Sequence, residues 1–262
     1  MGFEYLTNVP LAQARKEYLE RLVSGGFGSK TETIPVFESC GRVTAKAVYA
    51  HICAPHYAAS AMDGVAVSAK ETFGATETTP VTLKPDQFLV LDTGDPIPED
   101  KDAVIMVEDI VKNGDGSITI HAAAAPWQHI RQIGEDVCAG EMILPSHMTV
   151  SPAAIGAMIA GGVLEIEVIR KPVVGIIPTG DEIIPPCTDP KPGDILEFNG
   201  SIFSAMVRSW GAEAVVYPIV PDKFDQIKEM VAKAADECDM VILNAGSSAG
   251  REDFSARVIR EL

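Results

Sequence analysis

The sequence predicts a multidomain chain of the α/β plus β class. It should hold a three-layer α/β domain with a parallel sheet, a β-rich domain, and a helical and extended linker domain. Three observations lead there. Residues 173–243 alternate short apolar runs with amphipathic helical stripes. Residues 46–139 are short apolar runs broken by Gly, Pro and Asp, and one helical segment lies on each side of that stretch. The boundaries that follow are 1–45 with 140–170 for the linker domain, 46–139 for the β-rich domain and 171–262 for the α/β domain. At 262 residues, 47% of them hydrophobic, the chain can bury a full core.

The elements follow in order. After Asn8 and Pro10, the residues Leu11, Ala14, Tyr18 and Leu22 recur at helical spacing until Gly25-Gly26 supplies a stop. Further on, VIMVEDIV and SITIHA flank Lys112-Asn113-Gly114-Asp115-Gly116, which is a hairpin signal. Ser151-Pro152 opens a second helix as cap and first-turn proline, carrying Ile155, Met158 and Ile159 to Gly161-Gly162. Val163 to Ile169 reads as a strand leading to a boundary at Arg170-Lys171-Pro172. Val173-Val174-Gly175-Ile176-Ile177 is a continuous apolar run, as a parallel strand covered on both faces requires.

The next helix has Asn199 or Ser201 as its cap and Ile202, Phe203, Met206, Val207 and Trp210 as its apolar face, ending at Gly211. Ala214 to Val220 is a second strand. Asp222 caps a helix with Phe224, Ile227, Met230, Val231 and Ala234 on one side, and Asp239 to Leu243 is a third strand. The order β-α-β-α-β calls for a parallel sheet, and ligands of such sheets bind at the carboxyl ends of the strands. Trp127 and Trp210 read as packing residues.

The chain has 21 basic against 37 acidic residues, a net charge of −16, and no offsetting basic cluster. Nucleic acid and anionic membrane surfaces are therefore not expected partners. An anionic ligand would be met through backbone N–H groups or through divalent cations held by carboxylates. Cys40, Cys53, Cys138, Cys187 and Cys238 are odd in number and include no CxxC, so neither a disulfide framework nor a zinc ribbon is indicated, and a reducing cytoplasm fits. His51, Cys53 and His56 lack the second half of a metal site. No export signal and no membrane-spanning stretch is read.

Acid–glycine segments recur along the chain: Ser60-Ala61-Met62-Asp63-Gly64, Leu91-Asp92-Thr93-Gly94-Asp95-Pro96-Ile97-Pro98, Arg131-Gln132-Ile133-Gly134-Glu135-Asp136, Pro178-Thr179-Gly180-Asp181-Glu182, and Asn244 to Asp253. Singly, each is most simply a turn. Together, SAMDG, TGDPIP, the GED of IGEDVCAG, PTGDEI and VILNAGSSAGREDF resemble, in order and in approximate spacing, the MoeA and gephyrin E-domain family, the molybdopterin molybdenumtransferases.

The resemblance covers nearly the whole chain and implies a MogA-like α/β domain for molybdopterin binding in an elongated, homodimeric, cytoplasmic protein. It implies Mg²⁺-dependent insertion of molybdate into adenylylated molybdopterin with release of AMP, the substrate coming from a molybdopterin adenylyltransferase as pathway partner. Asp63, Thr93, Asp136, Glu182 and Asp253 match positions of the active cleft, with Glu182 and Asp253 holding Mg²⁺. Thr179, Gly180, Asp181 and Asp222 match positions at the strand ends, with Asp181 supporting its turn. Gly246 and Gly250 would let the backbone approach the pterin phosphate, beside the hydroxyls of Ser247 and Ser248. Asp63, Thr93 and Asp136 would face the α/β cleft of the partner subunit.

The chain also departs from the family. Ala245 stands where the last loop has its first glycine, and Ser247-Ser248-Ala249 replaces Val-Ser-Val. Glu197-Phe198-Asn199-Gly200 replaces an Asp-x-Asn pattern, which moves the carboxylate by a methylene and leaves Glu197 out of the expected site. A lysine loop and a small β domain that follow in the family have no counterpart before Leu262, so residues 1–262 read as a fragment that binds the pterin weakly without turnover. The rival readings are a sensor or scaffold on the same fold, which the altered loop favours, and adenylyl transfer, which the long β-rich half disfavours.

Overall fold

The computed structural model describes residues 9–244 and 255–262. The chain parts into two compact units, Thr33–Val168 and a second made of Met1–Glu32 with Ile169–Leu262. Helix α1 (Leu11–Ser24) opens the second unit and stops where Gly25 N–H donates to Arg21 O at 2.9 Å; the predicted spacing does form a helix, but none of its residues is buried.

In the unit Thr33–Val168, the strand Gly64–Val67 runs antiparallel between Phe88–Leu91 and Ala103–Met106. Its side chains alternate between two cores, as the two-residue period of a strand requires. Val65 and Val67 join Leu83, Ile105, Ile118 and Ile120, while Ala66 joins Leu91, Val104 and Ile130. A second sheet places Ile118–Ile120 between Val81–Leu83 and Ile110–Lys112. The predicted hairpin therefore forms across residues 112–116. The apolar run before it is divided: Ala103–Met106 stays in the first sheet, and a 3-10 turn at Val107–Asp109, anchored by Val107 N–H to Asp63 O at 3.0 Å, carries the chain into the second.

Helix α2 (Pro152–Ala160) starts as its sequence predicts, with Ser151 Oγ accepting the Ala154 N–H at 3.2 Å and proline in the first turn. Its Met158 packs with Val36, Val48, Val150, Val163 and Val168, a core separate from that of the sheets.

In the other unit, Val173–Pro178 is the central strand, paired in parallel with Glu213–Val216 and Met240–Asn244. Five of its six residues are buried, as its unbroken apolar run demands. The helices are α3 (Asn199–Ser209), α4 (Phe224–Glu237) and α5 (Ser255–Glu261). Ile227, Val231 and Ala234 of α4 recur at helical spacing and pack with Ile177, Tyr217 and Val258. The predicted β-α-β-α-β order is present.

Four local expectations are corrected. Neither Asn199 nor Ser201 caps α3; Glu197 reaches forward instead, its Oε1 accepting the Gly200 N–H at 2.6 Å. Lys223, not Asp222, occupies the cap position of α4, because Lys223 N–H folds back onto Pro221 O and delays the first helical turn. The buried face of α3 is Gly200, Ser204 and Val207, so Ile202 and Met206 lie outward; Trp127 and Trp210 are 55% and 73% exposed, the first in a left-handed loop conformation and the second beyond the end of α3. Among the described residues no helix is long and apolar enough to cross a membrane.

Candidate functional site

In the α/β unit the three strand ends are knitted together. Thr179, which is buried, donates both its N–H (3.0 Å) and its hydroxyl (3.2 Å) to Asn244 O. Gly180 N–H donates to Val220 O at 3.2 Å, and Asp181 Oδ1 accepts the Asp222 N–H at 3.3 Å. Thr179 thus ties the first strand to the third, and Gly180 and Asp181 tie it to the second. Gly180 has φ +142°, and a Cβ there would lie 2.6 Å from Ile183 Cγ1, so only glycine fits the position.

These loops border an open cleft of about 550 Å³. Its walls are largely apolar, built from Pro178, Pro185, Pro186, Pro218 and Pro221, while Gly180, Asp181 and Glu197 supply polar groups. Tyr217 also lines it, but the hydroxyl is committed elsewhere, donating to Glu237 Oε2 at 2.7 Å. Burial, then the bonds to Glu237 and Cys238, push the Tyr217 phenol above its ordinary value, so it remains a neutral donor. An apolar cleft with few convergent polar groups suits a flat heterocycle. Its two carboxylates disfavour a bare anion and suit one carrying a divalent cation.

Of the residues predicted for this end, Thr179, Gly180, Asp181 and Asp222 are brought together. Glu182 is exposed and does not line the cleft, whereas Glu197, omitted by the sequence reading, does. Gly246, Ser247, Ser248, Gly250 and Asp253 lie outside the described residues. Among those described, no three His, Cys, Asp or Glu side chains converge on a metal-sized point.

In the β-rich unit the three acid–glycine segments converge on one short strand, Ala59–Ser60. Ser60 N–H donates to Asp95 O (2.9 Å), Gly94 N–H to Ser60 O (2.8 Å), and on the other side Ile130–Arg131 pairs antiparallel with the same strand. Asp63 and Thr93 meet directly: Asp63 Oδ1 accepts both the Thr93 N–H and hydroxyl, each at 2.7 Å. Those two bonds, the hydroxyl's first, hold the Asp63 carboxyl below its ordinary value. Asp136 is gripped by Arg131, whose Nη2 lies 2.7 Å from both carboxylate oxygens, and the Arg131 pKa is raised in turn. The sequence places Arg131 in this acid–glycine segment but assigns it no role; the turn across residues 132–135, closed by Glu135 N–H to Gln132 O at 3.1 Å, brings it back onto Asp136.

Thr93→Val removes the hydroxyl bond and keeps the N–H bond. The Asp63 pKa is expected to rise while staying below its ordinary value, as read by carbon-detected NMR titration of the carboxyl; an unmoved midpoint would remove the hydroxyl from the account.

These features define a class: a parallel α/β unit with an acid-and-glycine cleft at its strand ends, joined in one chain to a β-rich unit whose acidic turns share one strand. Residues 9–162 match the model described as MoeA N-terminal region (domain I and II), and residues 175–262 match the probable molybdopterin binding domain. The chain belongs to the MoeA family.

A molybdopterin molybdenumtransferase 2 of Mycobacterium tuberculosis is 35% identical over 83% of this chain and 58% of its own length. A molybdopterin molybdenumtransferase of Haemophilus influenzae is 30% identical over 96% of this chain and 64% of its own. Two crystal structures of the MoeA molybdopterin biosynthesis protein of Pyrococcus horikoshii align with TM-scores of 0.80 and 0.71. Their identities are 29% and 33%, covering 98% and 82% of this chain and 67% and 61% of theirs. The chain thus spans well under two thirds of the length of the first of these relatives.

Proposed function

We propose that the protein carrying this chain serves molybdenum cofactor biosynthesis as a molybdopterin molybdenumtransferase, inserting molybdate into adenylylated molybdopterin with release of AMP, while residues 1–262 alone bind the pterin without turnover. The observation that carries the reading is the strand-end cleft, where Thr179, Gly180 and Asp181 knit three loops around an apolar-walled space bearing two carboxylates. The proline walls take the pterin, and Gly180 leaves bare backbone for the phosphate. Asp181, held to the Asp222 N–H, positions the turn that carries Glu182.

Mg²⁺ requires only one or two carboxylates when substrate phosphates and water complete its shell, and the oxygen donors of Glu182 and Asp253 are of that kind. Bound there, it would stabilise charge on the phosphoryl oxygens. Asp63, bonded to Thr93, and Asp136, gripped by Arg131, are the two further carboxylates that the family resemblance counts among its active-cleft positions. The reading makes the protein a cytoplasmic homodimer supplied by a molybdopterin adenylyltransferase.

The test is AMP release from adenylylated molybdopterin with molybdate and Mg²⁺. Asp181→Asn, which loosens a positioning contact, is expected to lower the rate about 10–100-fold while the fold survives. Tight pterin binding with no AMP release would favour the scaffold reading instead.

A further inference from the structure

We infer that Cys53 and Cys138 form an oxidisable dithiol that closes to an intrachain disulfide by exchange with a small-molecule disulfide. The two are 85 positions apart in the chain, yet the fold sets them opposite each other. Ala54 and Val137 exchange both backbone hydrogen bonds, Ala54 N–H to Val137 O at 2.8 Å and Val137 N–H to Ala54 O at 3.1 Å. They are therefore a hydrogen-bonded antiparallel pair. The adjoining residues, Cys53 and Cys138, take the neighbouring non-hydrogen-bonded position, where facing side chains approach most closely. The Cα separation of such positions, about 4.5 Å, lies within the range of about 4.4–6.8 Å that disulfides span.

The sulfurs confirm the placement. The Cys138 and Cys53 Sγ atoms lie 2.8 and 3.6 Å from the single point where a Cβ on Gly134 would sit. Both sulfurs share the space that glycine leaves. Cys53 Sγ accepts the Ala139 N–H at 3.3 Å, and the Cys138 thiol donates to Gly134 O at 3.3 Å. Cys138 is exposed and Cys53 half-buried, an arrangement of one attacking and one resolving thiol. Of the other cysteines, Cys40 and Cys187 are exposed and Cys238 lies against the Tyr217 hydroxyl of the other unit.

With oxidised glutathione as the disulfide, the Cys138 thiolate attacks one sulfur, the glutathione S–S bond breaks, and one glutathione thiolate leaves. The Cys53 thiolate then attacks Cys138 Sγ and expels the second. The protein loses two electrons and two protons, and the oxidant becomes two molecules of reduced glutathione. The new bond sits beside Asp136, whose N–H donates to Ala54 O at 2.9 Å, so oxidation staples the base of the loop carrying the Arg131–Asp136 pair. The inference does not depend on the transferase reading.

The experiment treats the purified protein with oxidised glutathione, alkylates the remaining thiols, and maps peptides without reduction by mass spectrometry. The expected result is one cross-linked peptide pair containing Cys53 and Cys138, with both thiols lost and no glutathione retained on Cys138. In Cys53→Ser, Cys138 is expected to keep its glutathione, because the resolving thiol is gone. Glutathione retained on Cys138 in the unsubstituted protein, Cys138 left alkylated, or a cross-link to another cysteine would each overturn the inference.

Discussion

Gly64→Ala is expected to destabilise the β-rich unit by about 3 kcal/mol or more and to lower its melting temperature by roughly 10 °C. Gly64 begins the central strand of its sheet, opposite Leu91 on one side and Met106 on the other. A Cβ at this position would lie 2.0 Å from Ile105 O and 2.9 Å from its carbonyl carbon. Both are backbone atoms of the neighbouring strand, so no side-chain rotation relieves the clash and the strands must part. The displaced strand would take Asp63 with it and weaken the bonds from Thr93. Gly114→Ala is the matched control: that glycine has open space around its missing Cβ and no left-handed backbone, and its substitution should leave the transition nearly unmoved. Equal melting temperatures for the two variants would show that the sheet yields at little cost.

The glycine of SAMDG illustrates what the sequence could and could not disclose. As an Asp-Gly pair it reads as a turn, and the reason for the glycine is a strand arriving from some forty residues later. The same holds for the convergence of three motifs on Ala59–Ser60 and for Cys53 opposite Cys138. Each is a long-range pairing to which local pattern is blind. The β-α-β-α-β order was legible because burial on both faces of Val173–Pro178 forces a continuous apolar run, and burial of one face of α4 forces a 3.6-residue stripe.

The misread features were decided by single contacts. A side chain from Glu197 outcompeted the nominal caps of α3, and a tight turn at Pro221 shifted the start of α4. Val107 N–H on Asp63 O cut an apolar run into two strands of different sheets. Chemistry followed the same division. Thr179 to Asp181 could be placed at a strand end from the sequence, since strand order alone fixes that end. Glu197 could not, because its position in the cleft depends on how α3 packs.

Asp239→Asn is expected to destabilise the α/β unit by about 2–3 kcal/mol, in a manner that vanishes in acid. Asp239 precedes the third strand and joins three segments. Lys30 Nζ lies 2.8 Å from Oδ1, Arg170 Nη2 lies 2.7 and 2.5 Å from the two oxygens, and the Val173 N–H donates to Oδ2 at 2.8 Å. Its side chain is only 12% exposed. Burial raises the carboxyl pKa, but Lys30, the Val173 N–H and Arg170 together outweigh it and hold the group down at about 2, against an ordinary 3.8. A depression of that size corresponds to about 2.5 kcal/mol of stability. Because the folded value is the lower one, this contribution is complete above about pH 4, declines as the pH falls toward 2, and is absent below. Asparagine keeps an acceptor for Val173 but leaves Arg170, 29% exposed, without its counter-charge. Amide hydrogen exchange at Val173 gives a local readout that does not require the two units to unfold together. Protection in the unsubstituted protein should exceed that in the variant at neutral pH, and the gap should close between about pH 4 and pH 2. A gap that persists unchanged to pH 2 would mean that the charge of Asp239 contributes nothing and that only its shape matters.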